Sequence, residues 1–96
     1  MKNTGISPLV IEEIRTAAVQ NNISKVILFG SRARGDYKKT SDIDLAVTGG
    51  NTALFAADME ETSTLLTFDI VDMDKPVQPE LLQSIEREGI TLYEKI

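Results

Sequence analysis

The sequence contains neither cysteine nor histidine. The absence of cysteine excludes a disulfide framework and thiolate chemistry, and the absence of histidine excludes Ser–His–Asp catalysis and His-ligated zinc. No apolar run approaches the roughly 20 residues of a membrane span, and the N-terminus has no signal-peptide core, so we expect a cytoplasmic protein. The chemistry available to the chain therefore comes from carboxylates, Lys and Arg, hydroxyls, backbone amides or a metal held by oxygen.

Positive charge is scarce and concentrated in one segment. The 96 residues carry ten Lys and Arg against fifteen Asp and Glu, which gives a formal charge of −5. The segment Arg32–Lys39 has a net charge of +3, whereas the remaining 88 residues have a net charge of −8. Such a chain lacks the basic face that a nucleic-acid binder needs, but one short basic loop suits a small polyphosphate. A solvated loop is the alternative interpretation.

The periodicity of the apolar residues predicts one domain over residues 1–96, without repeats or a linker. The predicted order is helix, strand, short helix or turn, strand, helix, strand, helix, strand. This order is typical of an α/β (α+β) fold in which helices pack on a small mixed sheet, although it does not determine the order of the strands. The predicted elements are a helix between Ser7-Pro8 and Asn21-Asn22, strands Lys25–Phe29, Ser41–Thr48, Phe68–Met73 and Ile90–Tyr93, and helices Thr52–Leu66 and Pro79–Glu88.

A candidate phosphate-binding loop follows the first predicted strand directly. Gly30 permits a tight turn and a close approach of the backbone to a ligand, while the next amides and the Ser31 hydroxyl can face an anion. Arg32 and Arg34 add charge and bidentate contacts to phosphate. The spacing matches neither a Walker A loop nor a dinucleotide fingerprint, and an ordinary strand-ending turn is the alternative.

A pair of carboxylates, Asp42 and Asp44, lies in the alternating segment Ser41–Thr48. Residues two apart on a strand point the same way, so these side chains emerge roughly 6–7 Å apart and repel each other. A Mg²⁺ ion between them relieves the repulsion, because it is a hard cation that prefers oxygen ligands. The alternative is a solvent-exposed strand face, although Asp is depleted in strands.

A third carboxylate is expected on the strand Phe68–Met73. Asp69 and Asp72 lie on opposite faces of this strand, so at most one of them joins the face of Asp42 and Asp44. We favour Asp69 because it lies mid-strand, whereas Asp72 and Asp74 suit a strand end. Three such carboxylates beside a Gly-Ser loop predict a two-metal phosphoryl-transfer site, in which Mg²⁺ contacts a nucleoside triphosphate and activates an attacking hydroxyl.

Taken together, these motifs resemble a known signature. Gly30-Ser31-Arg32-x-x-Gly35, followed eleven residues after Ser31 by Asp42-x-Asp44, resembles the nucleotidyltransferase signature of the DNA polymerase beta superfamily. The short chain, with SDIDLAV and later FDIVDMD, is similar to its minimal nucleotidyltransferase (MntA-type) branch, and the resemblance extends from about Lys25 to Asp74. It implies a polymerase beta-like fold. By this resemblance, Gly30, Ser31, Arg32 and Arg34 bind the nucleotide, and Asp42, Asp44 and Asp69 are the catalytic metal ligands.

The resemblance also implies a function and a partner. Proteins of this branch pair with a small helical HEPT-domain toxin and act as its antitoxin, using ATP and Mg²⁺ (two ions) to transfer AMP to a tyrosine of the toxin. Size agrees, because a 96-residue chain with a metal–nucleotide site has little surface left for an acceptor pocket of its own. Two alternatives stay open: transfer to a small-molecule hydroxyl, and a non-catalytic antitoxin that binds and blocks its partner. Homo- or hetero-oligomers are compatible with either.

Overall fold

Four strands and four helices alternate along residues 3–96, the part of the chain that the computed structural model describes. Their order agrees with the predicted order at every element. The elements are α1 (Pro8–Gln20), β1 (Lys25–Phe29), α2 (Ser31–Arg34), β2 (Ile43–Thr48), α3 (Thr52–Met59), β3 (Phe68–Asp72), α4 (Pro79–Glu88) and β4 (Ile90–Glu94).

The strands form a single mixed sheet in the order β3-β2-β1-β4. Strands β2 and β3 are parallel, and β1 pairs antiparallel with both β2 and β4. The parallel pair requires a crossover connection, which α3 supplies between β2 and β3. The register of this pair sets Asp44 opposite Asp69, and the pairing of β1 with β2 sets Phe29 opposite Asp44. The end of β1 and the starts of β2 and β3 therefore meet at one edge of the sheet.

The two faces of the sheet are covered differently. The larger core lies on the face of Ile43, Leu45 and Val47, where α1 and α3 contribute Ile14 and Phe55 among other buried residues. A smaller cluster on the opposite face consists of Phe29, Ala46 and Ile85, so that α4 packs there. By strand alternation Asp44 lies on the α4 face, beside this smaller cluster.

Local sequence signals explain most of the element boundaries. The Ser7 side chain accepts a hydrogen bond from Val10 N–H, and Pro8 occupies the first helical position, so α1 begins as predicted. The prediction for α3 was too long, because the helix ends at Met59 and not at Leu66. Thr62 Oγ1 donates instead to the Met59 carbonyl, and Ser63 donates from both its N–H and its hydroxyl to Glu13.

Among residues 3–96 no helix has the combination of length and apolar character that a membrane span requires.

Candidate active site

Gly30 connects β1 to the short helix α2 and lies against the carboxylate of Asp44. Its backbone angles, φ +77° and ψ −159°, fall in a region that only glycine adopts readily. A Cβ atom at this position would overlap the Asp44 carboxylate. The Gly30 carbonyl accepts the amides of Ala33 and Arg34 at 3.1 and 3.0 Å, which starts α2 immediately after the strand. The backbone conformation and the lack of room for a side chain therefore both require glycine at residue 30.

The start of α2 presents polar groups beside this glycine. Within residues 3–96 the amide N–H groups of Ser31 and Arg32 donate to no protein acceptor, as expected for the first turn of a helix. The half-buried Ser31 adds a hydroxyl next to them. These donors follow directly from the Gly30 turn, and they are suited to phosphate oxygens.

The carboxylates of Asp44 and Asp69 share one face of the sheet. They are register partners on parallel strands, so their side chains project in the same direction from strands about 4.8 Å apart. Asp42 precedes β2 by one residue and is exposed, as is Asp69, whereas Asp44 is half-buried. Asp72 lies on the opposite face and accepts a hydrogen bond from Asp74 N–H at 3.0 Å. The register thus resolves the choice that strand parity left open, and it places Asp69 beside Asp44.

This arrangement disfavours the charged form of Asp44. Burial raises its pKa to about 6, and the nearby charges of Asp69, Asp42 and Glu88 act in the same direction, while Arg34 opposes them. A carboxyl group with a raised pKa among other acids is typical of a site that binds a cation or transfers a proton.

The donor set suits a hard divalent cation, although the side chains do not converge on one point. Within residues 3–96, no three Asp or Glu side chains lie close enough together to hold a metal ion in their present rotamers. The fit rests on chemistry, since Asp42, Asp44 and Asp69 offer only carboxylate oxygens, which Mg²⁺ prefers. It also rests on charge, because burial and the neighbouring acids, which raise the pKa of Asp44, both disfavour its charged form, and a bound cation stabilises that form.

Arg32 does not occupy the position that the sequence-based prediction gave it. Its side chain is only 1% exposed, and its guanidinium donates to the carbonyls of Ser41, Thr4, Lys38 and Lys39. It also lies over the ring of Tyr37, 4.8 Å from the ring centroid. Since these contacts use its donors within the protein, the Arg32 side chain holds the loop 38–41 and Thr4 in place, and its guanidinium is not among the proposed nucleotide contacts.

Arg34, two residues further on, remains available at the surface. Its Nη1 lies 3.1 Å from Glu88 Oε1, and its Nε lies 3.3 Å from Asp36 Oδ1. The carboxylates of Glu88 and Asp36 raise the pKa of Arg34 above its ordinary value, so it stays positively charged. Its position at the end of α2 is compatible with the predicted phosphate contact.

Glu88 is the residue at this site that the sequence analysis missed. It is the last residue of α4, and its carboxylate accepts the Gly30 N–H at 2.9 Å as well as the Arg34 guanidinium. A signal existed in the sequence, because an acid at the C-terminal end of a helix is unfavourable there unless another partner stabilises it.

The sequence matches a family that this arrangement suits. Residues 12–96 match the family model described as Polymerase beta, Nucleotidyltransferase. The match covers most of the chain, so the protein belongs to this nucleotidyltransferase family, and the resemblance seen in its motifs is confirmed.

One curated relative comes from Methanocaldococcus jannaschii and is provisionally named a protein adenylyltransferase. It is 42% identical over 52 residues, which are 54% of this chain and 51% of that protein. The match therefore spans about half the length of this relative.

Solved structures with the same fold include toxin–antitoxin complexes. A toxin–antitoxin with AMP-PNP matches with a TM-score of 0.73 at 22% identity, covering 88% of this chain and 73% of that chain. The MntA-HpeT toxin–antitoxin carrying two Asp-to-Glu substitutions, two positions apart, matches with a TM-score of 0.72 at 20% identity over 88% and 73%. A second MntA-HpeT variant gives 0.68 at 25% identity over 88% and 72%. These likenesses confirm the predicted polymerase beta-like fold.

Proposed function

We propose that this protein transfers AMP from ATP to a tyrosine hydroxyl of a helical HEPT-type toxin, in a Mg²⁺-dependent reaction, and thereby acts as the antitoxin. The observation that carries this proposal is the contact between the Gly30 turn and the Asp44 carboxylate, with Asp69 in register on the next strand. This contact sets a phosphate-binding turn directly beside acids that suit a divalent cation.

The triphosphate of ATP lies along the start of α2 in this proposal. The N–H groups of Ser31 and Arg32 and the Ser31 hydroxyl donate to phosphate oxygens, and no side chain at residue 30 obstructs their approach. Arg34 faces the same region from the surface and balances the phosphate charge. Arg32 contributes only its backbone amide, because its guanidinium is buried elsewhere.

The carboxylates organise the transfer. Asp42, Asp44 and Asp69 would hold Mg²⁺, which when bound neutralises phosphate charge and favours ionisation of the attacking hydroxyl. The acceptor oxygen forms a bond to the α-phosphorus, and the bond from this phosphorus to the oxygen bridging the α- and β-phosphates breaks. Pyrophosphate leaves, and the proton of the acceptor hydroxyl passes to Asp69, whose exposed side chain is accessible from outside.

A protein acceptor suits the shape of the site. Three cavities of about 290 to 460 Å³ within residues 3–96 are lined by residues other than Gly30, Ser31 and the three aspartates. Asp42 and Asp69 are themselves exposed, so a protruding side chain of another protein can reach the site. Structural likeness to toxin–antitoxin complexes, one of them with AMP-PNP, supports the choice of a toxin and of ATP.

The test uses ATP labelled at either the α- or the γ-phosphate. We expect label from the α-phosphate, and none from the γ-phosphate, on a helical HEPT-type toxin supplied as acceptor, with loss of transfer in EDTA. The variants D42N and D44N should abolish labelling, while E60Q, which alters an exposed acid on the other side of the sheet, should not. Toxin neutralisation that persists in D42N and D44N without labelling would instead identify a non-catalytic antitoxin. Labelling of isolated small-molecule hydroxyls would contradict the protein acceptor.

A further inference from the structure

The carboxylate of Glu88 is held at the junction between α4 and the phosphate-binding turn. Its side chain is only 12% exposed. Oε1 accepts the Gly30 N–H at 2.9 Å, and both carboxylate oxygens accept from Arg34 Nη1, at 3.1 and 3.2 Å. One side chain thus binds both the glycine that borders the site and the exposed arginine predicted to contact phosphate.

This position is electrostatically unfavourable for an acid. Glu88 ends a helix, where the helix dipole disfavours negative charge, and it adds a further acid to the neighbourhood of Asp44. A nearly buried carboxylate in such surroundings needs strong compensation, which the Gly30 amide and the Arg34 guanidinium provide. Since a neutral residue at the helix end avoids this cost, the contacts point to a role at the site beyond helix stability.

The contacts also define the orientation of the turn. Gly30 is confined on two sides, because its N–H is held by Glu88 and its Cα faces the Asp44 carboxylate. Helix α4 is itself fixed, since Ile85 packs against Phe29 and Ala46, which lie next to Gly30 and two residues beyond Asp44. Glu88 therefore connects a helix packed on the sheet to the backbone from which the Ser31 amide and hydroxyl project.

We propose that Glu88 is a positioning residue, which fixes the peptide plane of Gly30 and the guanidinium of Arg34 in the orientation that receives the triphosphate. This inference rests on the proposed function for its nucleotide, and on the two hydrogen-bond contacts for its geometry. It requires that Glu88 keep both contacts when nucleotide binds. Removal of the carboxylate should then weaken nucleotide binding, whereas it would strengthen binding if Glu88 competed with phosphate for Gly30 and Arg34.

The first test measures binding of AMP-PNP with Mg²⁺ by calorimetry, which needs no acceptor protein. We expect E88A to weaken binding about tenfold, since it removes two charge-assisted contacts to the phosphate-binding groups. E88Q keeps an oxygen for the Gly30 N–H but loses the ion pair, so we expect an intermediate loss. E86Q, which changes an exposed acid on the same helix, should bind like the wild type.

Two further measurements separate positioning from a general loss of structure. In an R34A background, E88A should weaken binding by only about threefold, because the ion pair is already absent and only the Gly30 contact is lost. The amide proton resonance of Gly30 should move in nucleotide-free E88A and stay in place in E86Q. If E88A does not fold, both measurements are made on E88Q instead.

The outcomes distinguish the two proposals. Tighter binding by E88A would mean that the carboxylate competes with phosphate, and equal binding would mean that the contact is irrelevant, so either result overturns the positioning role alone. An unmoved Gly30 resonance in E88A would also overturn it. A wild-type protein that binds no AMP-PNP would overturn the proposed function as well.

Discussion

Gly30 lies so close to Asp44 that a single added carbon at residue 30 would overlap the Asp44 carboxylate. Gly35, five residues later, also has a positive φ of +97°, but a Cβ there would meet no atom within 4 Å. Gly30 and Gly35 therefore have related backbone constraints and opposite surroundings. This pair separates the cost of an unusual backbone conformation from the cost of intruding on the site.

The first prediction compares G30A with G35A. We expect G35A to lower the free energy of unfolding by about 1 kcal/mol, through backbone strain alone, and to leave AMP-PNP binding within about twofold of wild type. G30A should lose about 2 kcal/mol or more and should also weaken Mg²⁺-AMP-PNP binding at least about tenfold, because the turn must move away from Asp44. Urea unfolding and calorimetry measure the two effects. Equal nucleotide affinity in the two variants would contradict the site.

The second prediction concerns the pH dependence of stability without metal. The pKa of Asp44 is about 6 in the folded protein and about 3.9 in an unfolded chain. Between these values the folded state binds more protons, so the free energy of unfolding falls as pH rises from about 4 to about 6, and the loss is complete above that. D44N removes this loss. At pH 8 in EDTA we therefore expect D44N to be more stable than wild type. The gain should be only about 1 kcal/mol, because solvent screens the charge of the half-buried carboxylate.

The comparison is made by urea unfolding from pH 3.5 to pH 8. The advantage of D44N should disappear at the acidic end, where the wild-type carboxyl is protonated in both states. E60Q removes one negative charge far from Asp44 and should show no comparable gain. A D44N variant that is less stable than wild type at pH 8 would show that Asp44 is stabilising in its present contacts.

The third prediction contrasts Arg32 with Arg34, which are two residues apart and serve different purposes. R32A should destabilise the fold by at least about 3 kcal/mol, because it leaves four backbone carbonyls without their charged donor. R34A should have a free energy of unfolding close to that of wild type, since Arg34 is exposed, yet it should weaken AMP-PNP binding. Urea unfolding and calorimetry on the two variants provide the test. A folded, stable R32A with impaired nucleotide binding would restore the sequence-based assignment.

The same pair of arginines shows where sequence reasoning reached its limit. On a helical turn, residues two apart project about 200° apart, so only one of the two can face the phosphate side. The sequence pattern could not say which, because the choice depends on carbonyls at Thr4 and Ser41 that approach from elsewhere in the chain. Glu88 was missed for the same reason, since its contact with Gly30 joins residues 58 positions apart.

Other features were predictable because their signals are local. Strand β1 and helix α4 have the predicted bounds, since a short apolar run before glycine and a proline at the first helical turn both act nearby. The third helix was predicted too long, because its apolar residues continue past the Thr62–Thr64 hydroxyl run, where the chain leaves the helix. The parity of β3 correctly separated Asp69 from Asp72, but only the parallel register with β2 shows which face meets Asp44.

The last prediction uses that separation of faces on one strand. Asp69 is the register partner of Asp44, whereas Asp72 lies on the opposite face and accepts the Asp74 N–H. In the proposed reaction Asp69 holds metal and receives the hydroxyl proton, so we expect D69N to reduce the rate of AMP transfer by at least about 100-fold. D72N removes an acid three residues away without facing the site, and it should keep the wild-type rate while losing slight stability at the turn. Single-turnover transfer of α-labelled AMP measures both rates. Equal loss in the two variants would exclude a face-specific role, and loss in D72N alone would place the site on the other side of the sheet.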